Sequence, residues 1–328
     1  MTRHYFCAIF LTMKKISQAG LLSVLAVAGI SCAGRYTLVH DWPKLPPGFV
    51  FGQVPGLDID SHNHVWAFNR GYKPIVCLDG QTGEIVASWG EGLFIRPHGL
   101  RVDPQDNIWV TDKDHHLIYK FSHEGKLLLT LGTKGVPGAD ATHFDGPADL
   151  AFTPEGDFYL ADGYQNNRIV KFSRDGKMLF EWGKKGSGPG EFDVPHSVAY
   201  HRGRVYVADR SNGRIQIFDG EGKFIEQWKD PALGRPWGVT SAPDGDLFVV
   251  DGGDGYITQS KTSPNPGGPD RARVLRLDQA GRIKDTLGSF GRYEGQFIWP
   301  HSVAVGRDGA VYVAEVHTGM RVQKFVRR

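Results

Sequence analysis

From Val54 onward the chain is a succession of short runs in which apolar and polar positions alternate, and the runs come in a fixed order. The first kind follows a proline: VPGLDID at Val54, RPHGLRVD at Arg96, GPADLAFT at Gly146, VPHSVAYH at Val194, RPWGVTSA at Arg235 and WPHSVAVG at Trp299. After a turn comes a second run: HVWAFNR, NIWVTDK, DFYLADG, RVYVADR, DLFVVDG and AVYVAEV. A third follows (PIVCLD, LIYKFS, RIVKFS, RIQIFD, RVLRLD, RVQKFV), and a fourth such as EIVASWG, KLLLTLG, KMLFEWG or KFIEQWK ends the unit. Alternation bounded by Gly, Pro, Asn and Asp is the pattern of half-buried strands. Four antiparallel strands in roughly 40 to 50 residues, six times over, predict an all-β protein, a six-bladed β-propeller.

The sixth unit ends after its third run, at Arg328, so its outermost strand is missing. Residues 35–42 (RYTLVHDW) have the pattern of that strand, which predicts closure of the ring from the N-terminal side and removal of two exposed sheet edges. The stretch from Gly252 to Arg273 is polar and rich in Pro and Gly, and it lengthens the fifth unit between its second and third strands. It reads as a surface loop leaving the ring face on which second strands end, the position of a lid or specificity element. Residues 1–33 differ from the rest: Lys14 and Lys15 precede the small and apolar run Leu21 to Ile30, then Ser31-Cys32. This predicts a secretory signal peptide, hence export to a periplasmic or extracellular space, with the propeller occupying 34–328. Cys32 stands where a lipoprotein signal places its acylated cysteine, although Gly29 replaces the usual Leu. Either a membrane tether through lipidated Cys32 or ordinary cleavage nearby fits.

Composition narrows the partners. A net charge of +2 with no Lys/Arg-rich run gives no basis for a nucleic-acid partner. Cys77 is the one cysteine outside the leader, so no disulfide within the propeller is expected, and a core of this size does not require one. A monomer is the expected state.

Within the repeats, His98, His196 and His301 occupy the position after the proline in units two, four and six, where the other units carry Gly56, Ala148 and Trp237. On a six-fold ring that alternation sets three imidazoles about 120° apart around one axis. Three His ligands and an open fourth position form the donor set of a catalytic zinc site, and without Cys or carboxylate there the set favours zinc or another imidazole-preferring ion over calcium. The competing reading is a polar channel mouth. Second strands end on the same face, bringing Arg70, Asp112, Tyr164, Arg210, Asp251 and His317 toward it. Beside a dication and guanidinium groups the Tyr164 phenolate becomes available as a base; otherwise Tyr164 is a rim residue and the arginines are salt-bridged. Adjacent His115 and His116 read as strand neighbours on opposite faces, His62, His64 and His143 as surface groups, and Trp89, Trp182 and Trp228 as packing between blades. The glycine-rich run Gly183 to Gly190 lacks a following helix and reads as a turn.

The pieces RPHGL, HFDGPADLAF, DGYQNNRIVKFS, VPHSVA, ADRSNGRIQIF and WPHSVAV resemble the peptidyl-α-hydroxyglycine α-amidating lyase family, propellers with NHL-type repeats, over about Leu45 to Lys324. The resemblance implies zinc on His98, His196 and His301, a catalytic Tyr164, and active-site Arg70 and Arg210. It implies a small-molecule or peptide substrate with an α-hydroxyglycine end, R-CO-NH-CH(OH)-COOH, cleaved to an amide and glyoxylate without redox chemistry. The family's paired cysteines are replaced by Asp145 with Gln165 and by Tyr206 with Ile217, so its disulfides are not expected. Trp299 stands in place of a methionine. Ser302 stands where an aspartate helps bind a structural calcium ion (Ca2+), which puts that ion in doubt. With no copper-hydroxylating domain ahead of the propeller, the hydroxylated substrate is expected from elsewhere. Two other classes compete: a non-catalytic propeller that binds a protein or glycan, and another propeller lyase or lactonase, the latter relying on carboxylate and amide ligands.

Overall fold

The computed structural model describes residues 35–253 and 271–328, and in them the six units fold as six four-stranded antiparallel sheets. The innermost strands pack side by side around the axis, Pro300–Val305 of the sixth blade returning to Gly56–Ile59 of the first. This is the six-bladed β-propeller that the repeats predict. The sixth sheet takes its outermost strand from Tyr36–Leu38, paired Tyr36 to Arg327 and Leu38 to Phe325. That strand is shorter than the predicted 35–42. The chain turns at His40 and Asp41, the latter at φ 59°, to bury Trp42 against Tyr312 in the first core, ring centroids 5.0 Å apart.

The core lies between blades. Second strands such as Ile108–Asp112 are buried at every residue, whereas fourth strands such as Met178–Trp182 alternate half-buried with exposed. Trp109 with Phe144, Leu150 and Phe158 fills one interface, and each fully buried aromatic there contributes roughly 1.5–3 kcal/mol. Trp89 packs on Phe121 of the next blade at 4.8 Å and Trp182 on Phe218 at 5.5 Å, while Trp228 lies against the core shared by the fourth and fifth blades. The three tryptophans thus act between blades as expected.

One irregularity recurs where the site is built. Between first and second strands the register skips one residue just after the proline: Pro195 faces Asp209 but Ser197 faces Ala208, leaving His196 as the extra residue. Ala148, Trp237 and His301 are extra in the same way, and a skip also encloses His98. A β-bulge turns its surplus side chain out of the sheet's alternation, here toward the axis. The sequence reading of His115 and His116 as strand neighbours does not hold: they lie in the turn between Ile108–Asp112 and Leu117–Phe121, His116 at φ 58°, because the turn is needed to reverse the chain. The leader with Cys32, and residues 254–270 of the expected lid, lie outside the described residues.

Candidate metal and active site

Three bulges deliver three imidazoles. The rings of His98, His196 and His301 are 4.8–4.9 Å apart centroid to centroid, and one nitrogen from each lies within 4.8 Å of the others. Each Nδ1 meets a carbonyl of the following blade: His98 with Ala148 at 2.8 Å, His196 with Trp237 at 2.5 Å, His301 with Pro55 at 2.7 Å. A carbonyl only accepts, so Nδ1 carries the proton and the Nε2 lone pair is free for a ligand bond. All three are buried, and burial, reinforced by neighbouring imidazoles and the guanidiniums of Arg70 and Arg210, holds His98 and His196 well below the ordinary histidine value. Burial and then Arg70 push His301 down to about 3. Neutral imidazoles with oriented lone pairs are the ligand form, so the residues present fit an imidazole-preferring dication such as zinc.

Tyr164 reaches this cluster from the third blade. Its hydroxyl lies 2.9 Å from Nε2 of His98 and 3.0 Å from Nε2 of His196. The approach depends on the residue before it, since a Cβ on Gly163 would lie 1.8 Å from the Pro195 carbonyl oxygen. Arg210, buried, places its guanidinium over the rings of Tyr164 and Trp237 at 5.2 and 5.1 Å, with Nη1 3.4 Å from the Tyr164 hydroxyl. Its Nε is buried without a partner among the described residues, an orphaned donor at the rim of the cluster. From the first blade Arg70 donates to the Pro97 carbonyl at 3.1 Å and to Gln53 Oε1 at 2.5 Å, beside His98. His317 packs at a tilt against Trp299 at 5.1 Å on the same face, its imidazole pKa lowered by burial and then by Arg70 and Arg96.

Asp112 and Asp251 do not join the cluster. Each ends a buried second strand and grips the segment entering the bulge: Asp112 accepts from the amides of Ile95 and Arg96 at 2.8 and 2.9 Å, and Asp251 from Arg235 at 3.1 Å. Asp162, Asp209 and Glu315 do the same and pair with Arg168, Arg214 and Arg321. These acids hold the bulged strands in register, those of His98, His196 and His301 among them. One residue beyond these positions, where the first blade has Asn69 in place of an acid, stand Arg70, Lys113 and Arg210, and Lys113, which sequence reasoning passed over, sets its ammonium 5.0 Å from the Tyr164 ring centroid.

Behind the triad, the axial channel narrows to a cavity of about 10 Å³ lined by Arg101, Asp149, Ser197 and Ser302 among others. Arg101 forks onto Asp149 at 2.9 and 2.6 Å and donates to the Leu150 carbonyl at 3.1 Å, and Ser197 Oγ donates to Asp149 at 2.5 Å. Calcium takes six to eight oxygen ligands. Here a guanidinium engages the carboxylate and carbonyl oxygens, and Ser302 offers only a hydroxyl, so these residues do not fit a calcium ion.

Sequence and fold comparisons agree with this architecture. The NHL repeat family matches residues 94–121, 144–172 and 192–218. The chain is 36% identical over 311 residues to peptidyl-glycine alpha-amidating monooxygenase B of Xenopus laevis, covering 84% of this chain and 34% of that protein; it therefore spans about a third of that relative's length. It is 32% identical over 330 residues to peptidyl-alpha-hydroxyglycine alpha-amidating lyase 2 of Drosophila melanogaster, covering 88% of this chain and 75% of that one. Among solved structures, a streptogramin B lyase superposes with a TM-score of 0.60 at 16% identity, covering 89% of this chain and 98% of that one, a likeness of fold.

Proposed function

The chain belongs to the peptidyl-α-hydroxyglycine α-amidating lyase family, and from that membership we propose that it is a zinc-dependent carbon–nitrogen lyase that cleaves an N-acyl-α-hydroxyglycine to the amide and glyoxylate. The observation that carries the reading is the convergence of three Nε2 atoms, their Nδ1 positions committed to carbonyls, on a face where Tyr164 and two arginines also stand. His98, His196 and His301 would hold the ion. Bound there, it would supply Lewis acidity toward a substrate oxygen.

The chain's own residues do the rest. The substrate is an anion, and Arg210 and Arg70 approach the triad from the fourth and first blades, across the ring from each other, so a carboxylate is drawn in and oriented with Arg210 Nε available to it. Tyr164 Oη, at hydrogen-bond distance from two Nε2 atoms, takes the proton of the substrate hydroxyl as base. The O–H electron pair becomes the carbonyl π bond of glyoxylate, the C–N bond breaks, and the amide nitrogen leaves with a proton that Tyr164 can return. Trp237 and Trp299, their rings 5.9 Å apart and tilted by 37°, give the mouth an apolar wall for an acyl chain.

The test joins metal content to product. Purified protein should release glyoxylate from N-benzoyl-α-hydroxyglycine, lose the activity on chelator dialysis, and regain it with zinc. Substitution His196→Ala should lower bound metal. Protein that carries stoichiometric zinc but releases no glyoxylate from any N-acyl-α-hydroxyglycine would turn the reading toward a binding propeller.

A further inference from the structure

A second group of histidines lies on the opposite face of the ring. Asp60 and His62 belong to the turn between Gly56–Ile59 and His64–Phe68, His64 opens the second of these strands, and His123 belongs to the turn after Leu117–Phe121 of the second blade. Innermost strands run away from the triad and third strands run the same way, so both turns emerge on the far side. There the rings of His62, His64 and His123 form a triangle with centroids 5.8–6.0 Å apart. Beneath it sits the Asp60 carboxylate, whose Oδ2 is 3.1 Å from His64 Nδ1, 2.9 Å from His123 Nε2 and 2.9 Å from Trp66 Nε1. One donor atom from each of the four residues lies within 4.8 Å of the rest.

The second blade shows what this position looks like when it is merely structural. Asp103 there accepts from Trp109 Nε1 at 2.9 Å and from Asn107, and its charge is balanced by Lys120 at 3.1 Å. In the register of the two sheets Lys120 faces Trp109 as Cys77 faces Trp66. The first blade therefore keeps the buried aspartate and its tryptophan but has replaced the lysine with a neutral thiol, which burial and then the charge of Asp60 push up to about 12. Among the described residues no Lys or Arg pairs with Asp60; its ion-pair partners are His64 and His123. A buried anion has lost its fixed cation and gained three imidazoles.

We propose that Asp60, His62, His64 and His123 form a second site for an imidazole-preferring divalent ion, zinc being the test case, that ties the first blade to the second on the face away from the triad. Three imidazoles and one carboxylate match the nitrogen-rich, four-ligand set that such ions select. Zinc holds its ligands at about 2.0–2.2 Å, so the four atoms must close to roughly 3.3 Å from one another. His62, exposed and on a turn, can make that movement by giving up a 3.7 Å contact of its Nδ1 with Asp106. Asp60 also cancels part of the ion's charge, which the triad on the other face does not.

The test uses the full chain, stripped of metal and titrated with zinc, with stoichiometry read by elemental analysis and calorimetry. Wild type should take two equivalents, and His123→Gln or His62→Ala one, with glyoxylate release unchanged in both. His196→Ala should still take one equivalent, raising Tm, and the double variant His123→Gln/His196→Ala none. Dependence of one equivalent on His123 sustains the second site whatever happens at the triad. Equal zinc content in wild type, His123→Gln and His62→Ala would overturn it and leave a hydrogen-bonded histidine cluster.

Discussion

The two histidine triangles make a natural pair, because they use the same side chain to opposite electrostatic ends. At the bulged mouth the rings stand 4.8–4.9 Å apart, fully buried, with every Nδ1 committed to a carbonyl and guanidiniums alongside. On the far face they stand 5.8–6.0 Å apart, half in solvent, and share a buried carboxylate. A dication held by neutral ligands keeps its full charge and remains a strong Lewis acid, and nearby arginines welcome an anionic substrate. A dication beside a carboxylate is partly neutralised and better suited to pinning two turns together. Second partners of the imidazoles, rather than their number, distinguish the two.

The comparison can be pressed in three ways. The largest effect is expected between the two clusters, at Arg101, whose fork onto Asp149 joins the second blade to the third and whose guanidinium reaches the Val239 carbonyl of the fifth at 3.3 Å. Removing one partner of a buried ion pair strands the other, so Arg101→Met should lower unfolding free energy by about 3–5 kcal/mol in urea titration; a loss under 1 kcal/mol would mean that Asp149 finds compensation elsewhere. Next comes Tyr164→Phe, which keeps the ring and deletes the hydroxyl. A drop of roughly 10²-fold or more in kcat with zinc content unchanged is expected for loss of a general base, and near-normal turnover would reassign the proton transfer. The smallest effect is the pH dependence of the metal-free fold. Triad imidazoles stay unprotonated in the folded chain, while unfolded ones take up protons as pH falls through about 6.5. Stability is therefore complete above that pH and declines below it, by up to about 1.4 kcal/mol per pH unit for each imidazole. Urea midpoints at pH 7 and 5 should show it, with a shallower decline in His196→Gln; equal declines would remove the triad as the cause.

Much of this architecture was legible because strand periodicity and the recurring proline are local signals, and six copies reinforce one another. Ring closure by the N-terminal strand followed from counting strands. What escaped was out-of-register detail. The bulge that aims His98, His196 and His301 is a surplus residue in a ladder, visible only once the partner strand is known. Arg70 and Arg210 lie one residue beyond the strand-ending position, held by Asn69 and Asp209, whereas Asp112 and Asp251 occupy that position themselves, and so two clamps were grouped with rim residues while Lys113 was missed. His62 and His64 read as surface groups because the third imidazole, His123, comes from another blade. The signal that could have found them was the exchange of Lys120 for Cys77 behind a repeated Asp-to-Trp spacing.

Closure of the sixth sheet by Tyr36–Leu38 carries a consequence for how the chain is made. At synthesis rates of about 5–20 residues per second, the strand that pairs with Val322–Arg327 leaves the ribosome roughly tens of seconds before its partner does. Over that interval the nascent ring is an unfinished arc with sticky ends, a template for other chains. His301, in the last blade, can meet His98 and His196 only when the arc shuts, so the donor set assembles at the end of biogenesis and an immature chain holds the three imidazoles apart.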